Sequence, residues 1–120
     1  MADLIEEHHG VPVLVCDSDG ARISDVQDAL DQLVGSAFQG AEVVAVPVER
    51  LDESFFDLRS GLAGDITQKL VNYRLRLVVV GDISGHLRAG SALEDLVRES
   101  NRGRHVWFVR DLDELFARLA

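Results

Sequence analysis

The chain has little of what several protein classes require. It contains one cysteine, Cys16, so no disulfide can form within it, and we expect a protein of the reducing cytoplasm. No apolar run approaches the roughly 20 residues of a membrane span. Basic residues are scarce, 12 against 21 acidic ones, and the net charge is −9. A surface of that charge repels nucleic-acid backbones and anionic membranes, so we expect neither as a partner.

The chain also lacks recognisable metal and cofactor motifs. The acidic turn 17–20 has neither the spaced ligands nor the closing glutamate of a calcium loop. His8 and His9 are adjacent, so on a strand their side chains would point to opposite faces and make a poor metal pair. We therefore expect no metal and no cofactor.

The hydrophobic pattern predicts one α/β domain over residues 1–120. A chain of this length with 47% hydrophobic residues can bury a core of its own. Apolar runs alternate with segments of helical periodicity, which predicts the order β-β-α-β-α-β-α-β-α. We expect a mixed, mostly parallel sheet of about five strands, opened by a hairpin and flanked by helices. The predicted strands are Asp3–Glu7, Val11–Cys16, Glu42–Val48, Leu75–Val80 and His105–Val109.

A long central helix is predicted over Ser54–Tyr73. Apolar residues recur in it at steps of three or four, which places them on one face: Phe55, Leu58, Leu62, Ile66, Leu70 and Tyr73. Gly61 and Gly64 lie inside this helix, where each costs roughly 1 kcal/mol relative to alanine. We interpret them as a close-packing contact with the sheet.

The remaining helix ends carry capping signals. Ser24 with Gln27, and Ser91 with Glu94, have the spacing of capping boxes. Gly103 is typical of a left-handed residue that follows a helix. Trp107 lies among apolar neighbours in the last strand, which predicts a core position.

Four stretches resemble a bacterial family without an assigned function, the domain of unknown function 4180 family. They span nearly the whole chain: Ser24–Leu30, Phe55–Gly64, Val79–Ser84 and Arg98–Gly103. The second and the last are the more specific. The resemblance implies no reaction and no cofactor.

The layout is also similar, more distantly, to the sulfate transporter and anti-sigma factor antagonist (STAS) domain. Regulatory members of that family carry a phosphorylatable serine in an Asp-Ser-Ser-Gly motif, where the third strand leads into the second helix. Asp52 and Ser54 match that motif here, whereas Glu53 and Phe55 do not. The resemblance implies that Ser54 is a candidate phosphoacceptor and that Asp52 and Ser54 belong to a partner-binding surface. A serine at a helix start is also commonly a simple cap.

The second candidate region is the loop after the fourth strand. Open α/β sheets bind ligands at the carboxyl ends of their strands, and this loop carries five candidate residues: Asp82, Ser84, His86, Arg88 and Ser91. Its glycines match neither the dinucleotide fingerprint nor a phosphate-binding loop, so a plain connector remains the alternative. No nucleophile-elbow pattern accompanies Asp82 and His86, and we expect no catalytic residues.

These observations predict a non-catalytic cytoplasmic regulatory or protein-interaction module. The alternative is a protein that binds a small ligand or anion, or an enzyme, through the Asp82–Ser91 loop. A flat surface beside Ser54 would favour the first, and a pocket on which Asp82, Ser84 and His86 converge would favour the second. Two helix N-termini at one sheet edge also predict a locally positive spot there. The expected partner is another protein or a small anionic ligand.

Overall fold

A mixed five-stranded sheet forms the centre of the computed structural model, which describes residues 3–88 and 90–120. Ala89, inside the predicted ligand loop, lies outside the described residues. The strands lie in chain order across the sheet. Their bounds, each within one residue of the predicted ends, are β1 Leu4–His8, β2 Val11–Val15, β3 Val43–Pro47, β4 Arg76–Val80 and β5 Val106–Val109.

Helices connect the later strands. Their bounds are α1 Val26–Ala29, α2 Gly35–Ala37, α3 Glu53–Phe56, α4 Leu62–Asn72, α5 Ser84–Leu87, α6 Ser91–Arg102 and α7 Leu112–Leu119. A π-helical turn, Leu30–Val34, joins α1 to α2, so residues 26–37 form one helical run. Among the described residues, no helix has both the length and the apolar character needed to cross a membrane.

The strand directions confirm the predicted mixed sheet. β1 and β2 pair antiparallel, with Leu4 opposite Val15, while β2 to β5 are all parallel. His9 and Gly10, with φ of 52° and 79°, form the turn of the opening hairpin. Two consecutive left-handed residues suit a tight hairpin because their twist matches that of the strands.

Both faces of the sheet are covered, as their continuous apolar strands require. Val44 and Val46 of β3 belong to the larger core, together with residues of the 26–37 run, α3, α4 and α6. Val43 and Ala45 point to the other face, where Leu115 of α7 is fully buried. The chain is thus a single α/β domain with helices on both sides of the sheet.

The predicted central helix is wrong in one respect, because it is broken between Phe56 and Leu62. Asp57 is extended, and its carboxylate accepts a hydrogen bond from the Arg59 amide, which starts a 3₁₀ turn over Leu58–Ser60. Gly61 then adopts a left-handed conformation with φ of 75° before α4 begins. The break turns Leu58 outward, whereas Leu62, Ile66 and Leu70 are buried as predicted.

The close-packing interpretation of the two glycines is also wrong. A Cβ atom added at Gly61 or Gly64 would have no heavy atom within 4 Å. Gly61 is instead required by its positive φ, which side chains other than glycine rarely adopt. Gly64 lies exposed on α4, and no contact explains it.

Three predicted helix ends are also corrected. Asp25, not Ser24, caps the first helix by accepting from the Asp28 amide. The residue before α6 is Gly90, so Ser91 is the first helical residue and not its cap. Gly103 is extended, with φ of −92° and ψ of −161°, and not left-handed.

Trp107 is half-buried and not in the core. Two guanidinium groups lie over its ring, that of Arg76 at 5.0 Å and that of Arg118 at 4.0 Å from the ring centre. The indole N–H donates to the Gly103 carbonyl at 2.8 Å. The Trp107 ring therefore makes cation–π contacts with two arginine side chains at the edge strand β5.

Candidate functional site

The segments that leave β3 and β4 lie side by side because the two strands are parallel. An open cleft of about 860 Å³ separates them. One wall consists of residues 52–59, around α3 and the 3₁₀ turn, and the other of residues between 85 and 93, around α5 and the start of α6. We call this the edge cleft. Ser54 therefore lies beside a concave surface, not the flat one expected for an interaction module.

Asp52 and Ser54 lie together on the first wall and are bonded to each other. Asp52 caps α3, since its Oδ2 accepts from the Ser54 amide at 3.1 Å and from the Ser54 hydroxyl at 2.6 Å. The Arg22 guanidinium donates to Oδ1 at 3.3 Å. These bonds, chiefly that from the Ser54 hydroxyl, hold the pKa of Asp52 below its usual value. The residue that caps α3 is thus Asp52, and the Ser54 hydroxyl donates its hydrogen bond to the Asp52 carboxylate.

The five candidate residues of the second loop do not converge. Asp82 accepts from the Ser84 amide at 2.9 Å, and this hydrogen bond is the main reason that the pKa of Asp82 lies below its usual value. Of the five, only His86 is among the described residues that line the edge cleft. The other four residues belong to the connector around α5 and the start of α6 and are not among the described residues that line the edge cleft: Asp82, Ser84, Arg88 and Ser91.

An apolar floor lies between the walls. The His86 ring stacks on Phe56, with ring centres 3.9 Å apart and planes 12° from parallel. Phe56 itself packs edge to face on Phe55 in the larger core. Leu93 of α6 is buried beside them, and Leu58 stays 37% exposed at the rim. The cleft therefore combines a buried aromatic and aliphatic base with an exposed rim.

The charge of the edge cleft is opposite to the predicted positive spot. Three carboxylates line it, from Asp52, Glu53 and Asp57, against one guanidinium, from Arg59. Arg59 is 92% exposed on its side chain and lies 3.4 Å from Asp57. α3 is only four residues long, and the Asp52 carboxylate already occupies its N-terminus. The local field is consequently negative.

A buried ion pair closes the neighbouring part of the same sheet edge, and the sequence analysis missed it. Arg50, only 1% exposed, directs one guanidinium nitrogen to both carboxylate oxygens of Asp3, at 3.0 and 2.9 Å. Its Nε donates to the Ala21 carbonyl at 2.9 Å. A Cβ atom at Gly20 would lie 2.5 Å from the guanidinium carbon. An arginine in a turn is usually exposed, so the sequence around Arg50 predicts a surface side chain. Gly20, in the loop 17–23, is the residue that indicates a close contact here.

The Cys16 thiol is buried next to that pair. Burial, reinforced by the Asp3 carboxylate, raises the pKa of Cys16 from 9.0 to about 12. A thiol of this kind stays protonated at neutral pH, so it is a poor nucleophile and a poor metal ligand. Cys16 is thus a free and buried thiol.

Two exposed aromatic rings mark the opposite edge of the sheet, before β3 and β4. Phe38 is 76% exposed and Tyr73 is 49% exposed, and the rings meet edge to face at 6.2 Å. A small concavity of about 230 Å³ lies beside them. Within residues 3–88 and 90–120, no three histidine, cysteine, aspartate or glutamate side chains are grouped so as to hold a metal ion.

Comparison with known proteins assigns a family but no activity. No curated protein and no solved structure matches the chain, so the likeness to the STAS domain rests on layout alone. The model of the family described as domain of unknown function (DUF4180) matches residues 8–119. Because this range is nearly the whole chain, the protein belongs to the DUF4180 family.

Proposed function

We propose that this domain is a non-catalytic cytoplasmic protein-interaction module and that the edge cleft receives a segment of its partner. The observation that carries the proposal is the cleft itself, which combines a buried apolar floor with an exposed polar rim. Binding sites of proteins are built in this way, because apolar contacts supply free energy while rim polar groups set orientation.

The openness of the site favours a protein segment over a small molecule. Most residues that line the cleft are exposed: Glu53, Asp57, Leu58, Arg59, Gly85, Gly90 and Ala92. Sites for small ligands bury most of the ligand surface. A peptide can leave part of its backbone in water and still place side chains on the half-buried His86 ring and the exposed Leu58.

The titratable groups of this edge are arranged against catalysis. The pKa values of Asp52 and Asp82 are lowered by hydrogen bonds, so neither carboxyl group is poised as a proton donor near neutral pH. The Ser54 hydroxyl donates to Asp52, not to a histidine, so it lacks the base that activates a serine nucleophile. The Cys16 thiol is buried and protonated.

A switch by phosphorylation at Ser54 receives no support from its surroundings. A phosphate there would break the 2.6 Å bond to Asp52 and add about two negative charges. Glu53 and Asp57 on the same wall would repel it. We therefore assign Ser54 to the wall of the binding site without a regulatory modification.

A steric variant tests the proposal. Peptides that bind the wild-type domain are selected from a displayed random library and measured by isothermal titration. Ala92 is exposed on the cleft wall in α6, and Ala117 is exposed on α7 away from the cleft. We expect Ala92→Trp to weaken the selected peptides by about tenfold or more, because the indole fills the cleft. Ala117→Trp is the matched control and should change the affinity less than about twofold.

Circular dichroism and thermal melts verify that both variants fold. Selected peptides that bind Ala92→Trp as tightly as the wild type would overturn the proposal. A library that yields no specific peptide would overturn it as well.

A further inference from the structure

We infer that the partner segment received by the edge cleft carries a basic side chain next to apolar ones. The inference rests on the proposed function, and it names the chemistry of the partner. Three carboxylates line the cleft against one guanidinium, and these groups surround the apolar floor. Charge and shape together specify a cationic, partly apolar stretch of polypeptide.

The carboxylates can receive a cation because two of them stay exposed. Glu53 and Asp57 lie on the rim, and the side chain of Asp57 is 50% exposed. The nearest cation, Arg59, lies at 3.4 Å from Asp57 but is 92% exposed, so this surface pair is easily exchanged for an incoming one. Asp52 is already ionised and bonded to Arg22 and Ser54. The rim thus offers negative charge that the domain itself neutralises weakly.

The floor determines what must accompany the basic group. Phe56 and Leu93 are 7% and 5% exposed, and the His86 ring covers one face of Phe56. Those two side chains are already covered, so the apolar surface open to a partner belongs to the half-buried His86 ring and to Leu58, which is 37% exposed. The stem of a lysine or arginine, or a neighbouring leucine or methionine, would remove this apolar surface from water. A fully polar basic segment would gain only the rim contacts.

The backbone of the segment also has a complementary group in the cleft. α6 is twelve residues long, and the residue that precedes it, Gly90, has no side chain to cap it, nor is another side-chain cap present in the described part of the chain. The amide groups of a first helical turn have no acceptor within the helix, so they can donate to carbonyl oxygens of a partner. A carboxylate would fit these amides too, but it would meet the three carboxylates of the cleft, so an acidic segment is disfavoured.

Three short synthetic peptides of equal length test the inference. The first alternates lysine and leucine, and the other two replace every lysine by glutamine or by glutamate. Binding is followed by fluorescence anisotropy and by the amide resonances of the domain. We expect the lysine peptide to bind about tenfold more tightly than the glutamine peptide and to shift amides of residues 52–59 and 85–93. The glutamate peptide should not bind.

A matched pair of charge variants separates the cleft from the general acidity of the surface. Glu53→Gln with Asp57→Asn removes two charges at the rim, and asparagine keeps a capping oxygen for the 3₁₀ turn. Glu7→Gln with Asp113→Asn removes two exposed charges elsewhere. The cleft pair should weaken the lysine peptide by about tenfold and the remote pair by less than about twofold.

Equal losses from both pairs would overturn the inference, because they would show non-specific attraction to an acidic protein. Equal or tighter binding of the glutamine or glutamate peptide in the cleft, or no binding of any of the three, would also overturn it. The steric test with Ala92→Trp is independent of peptide charge. If that variant blocks selected peptides that prove neutral or acidic, the proposed function stands and only this inference fails.

Discussion

Two halves of one sheet edge differ in how they treat their charged groups. In the closed half, Arg50 is buried between Asp3 and the Ala21 carbonyl, and the loop 17–23 lies over it. In the open half, Arg59 is almost fully exposed beside Asp57 at the rim of the cleft. Both arginines follow β3 within the same stretch of chain. The difference indicates that the charged groups of the closed half are part of the packed structure, whereas those of the open half stay exposed to solvent.

The two halves are also physically connected. Ile23 forms a parallel bridge with Leu51: its amide donates to the Arg50 carbonyl at 2.7 Å, and its carbonyl accepts from the Asp52 amide at 3.0 Å. Asp52 begins the wall of the cleft. The buried ion pair thus supports the position of the cleft wall through the backbone.

The largest expected effect is the removal of the buried arginine. Arg50→Met should lower the free energy of unfolding by about 3–5 kcal/mol, because it removes the cation that pairs with the Asp3 carboxylate, which is 13% exposed, and leaves the Ala21 carbonyl without the Arg50 donor. Urea denaturation followed by circular dichroism measures the loss. A loss below about 1 kcal/mol would mean that the closed half is not structural.

A pair of glycines sharpens the comparison. Gly20→Ala places a methyl group 2.5 Å from the Arg50 guanidinium, which is held by hydrogen bonds, and should cost about 1–3 kcal/mol. Gly85 lies in α5 on the cleft wall, where an added Cβ meets no atom within 4 Å. Gly85→Ala should be neutral or stabilise by up to about 1 kcal/mol. Urea melts that rank the two variants in the opposite order would contradict the description of the halves.

The Cys16 thiol provides a pH test of the closed half. The pKa of Cys16 is about 12 in the folded state against 9.0 ordinarily, so the unfolded chain releases this proton first as pH rises. The contribution of Cys16 to stability is therefore complete below pH 9 and is lost between pH 9 and about 12. Stability of the wild type should fall more steeply above pH 9 than that of Cys16→Val. Parallel curves for the two proteins would show that the thiol is accessible to water.

The smallest expected effect belongs to the exposed arginine. Arg59→Ala removes a surface pair with Asp57 and should change the free energy of unfolding by less than about 0.5 kcal/mol. The same denaturation experiment measures it beside Arg50→Met. A loss comparable to that of Arg50→Met would remove the distinction between a structural and an available arginine.

The fold was predictable because its signals are local. Runs such as Val43–Pro47 and Arg76–Val80 are apolar and bounded by polar turns, so the strands and their ends follow from the sequence. The break in the central helix escaped prediction because the apolar spacing of Phe55, Leu58 and Leu62 continues through it. Only the Asp57 cap and the positive φ of Gly61 interrupt the helix.

The site was predictable in part. The parallel strands bring the two predicted candidate regions to one sheet edge, where Ser54 and His86 line the same cleft and Asp82 and Ser84 do not. The charge of the site was mispredicted because the helix N-termini were counted as free positive ends, whereas the Asp52 carboxylate caps α3 and Glu53 and Asp57 also line the cleft. Arg50 escaped because its partners Asp3 and Ala21 lie 47 and 29 residues away in the chain. A periodic pattern of apolar residues does not predict contacts between residues so far apart in the chain.

The most direct test of the edge cleft as a binding surface is amide chemical-shift mapping during titration with the lysine–leucine peptide. We expect the shifts to be confined to residues 52–59 and 85–93, with little change in the closed half at residues 17–23. Shifts centred on Phe38 and Tyr73 at the opposite edge, or spread over the acidic surface as a whole, would contradict the assignment of this cleft.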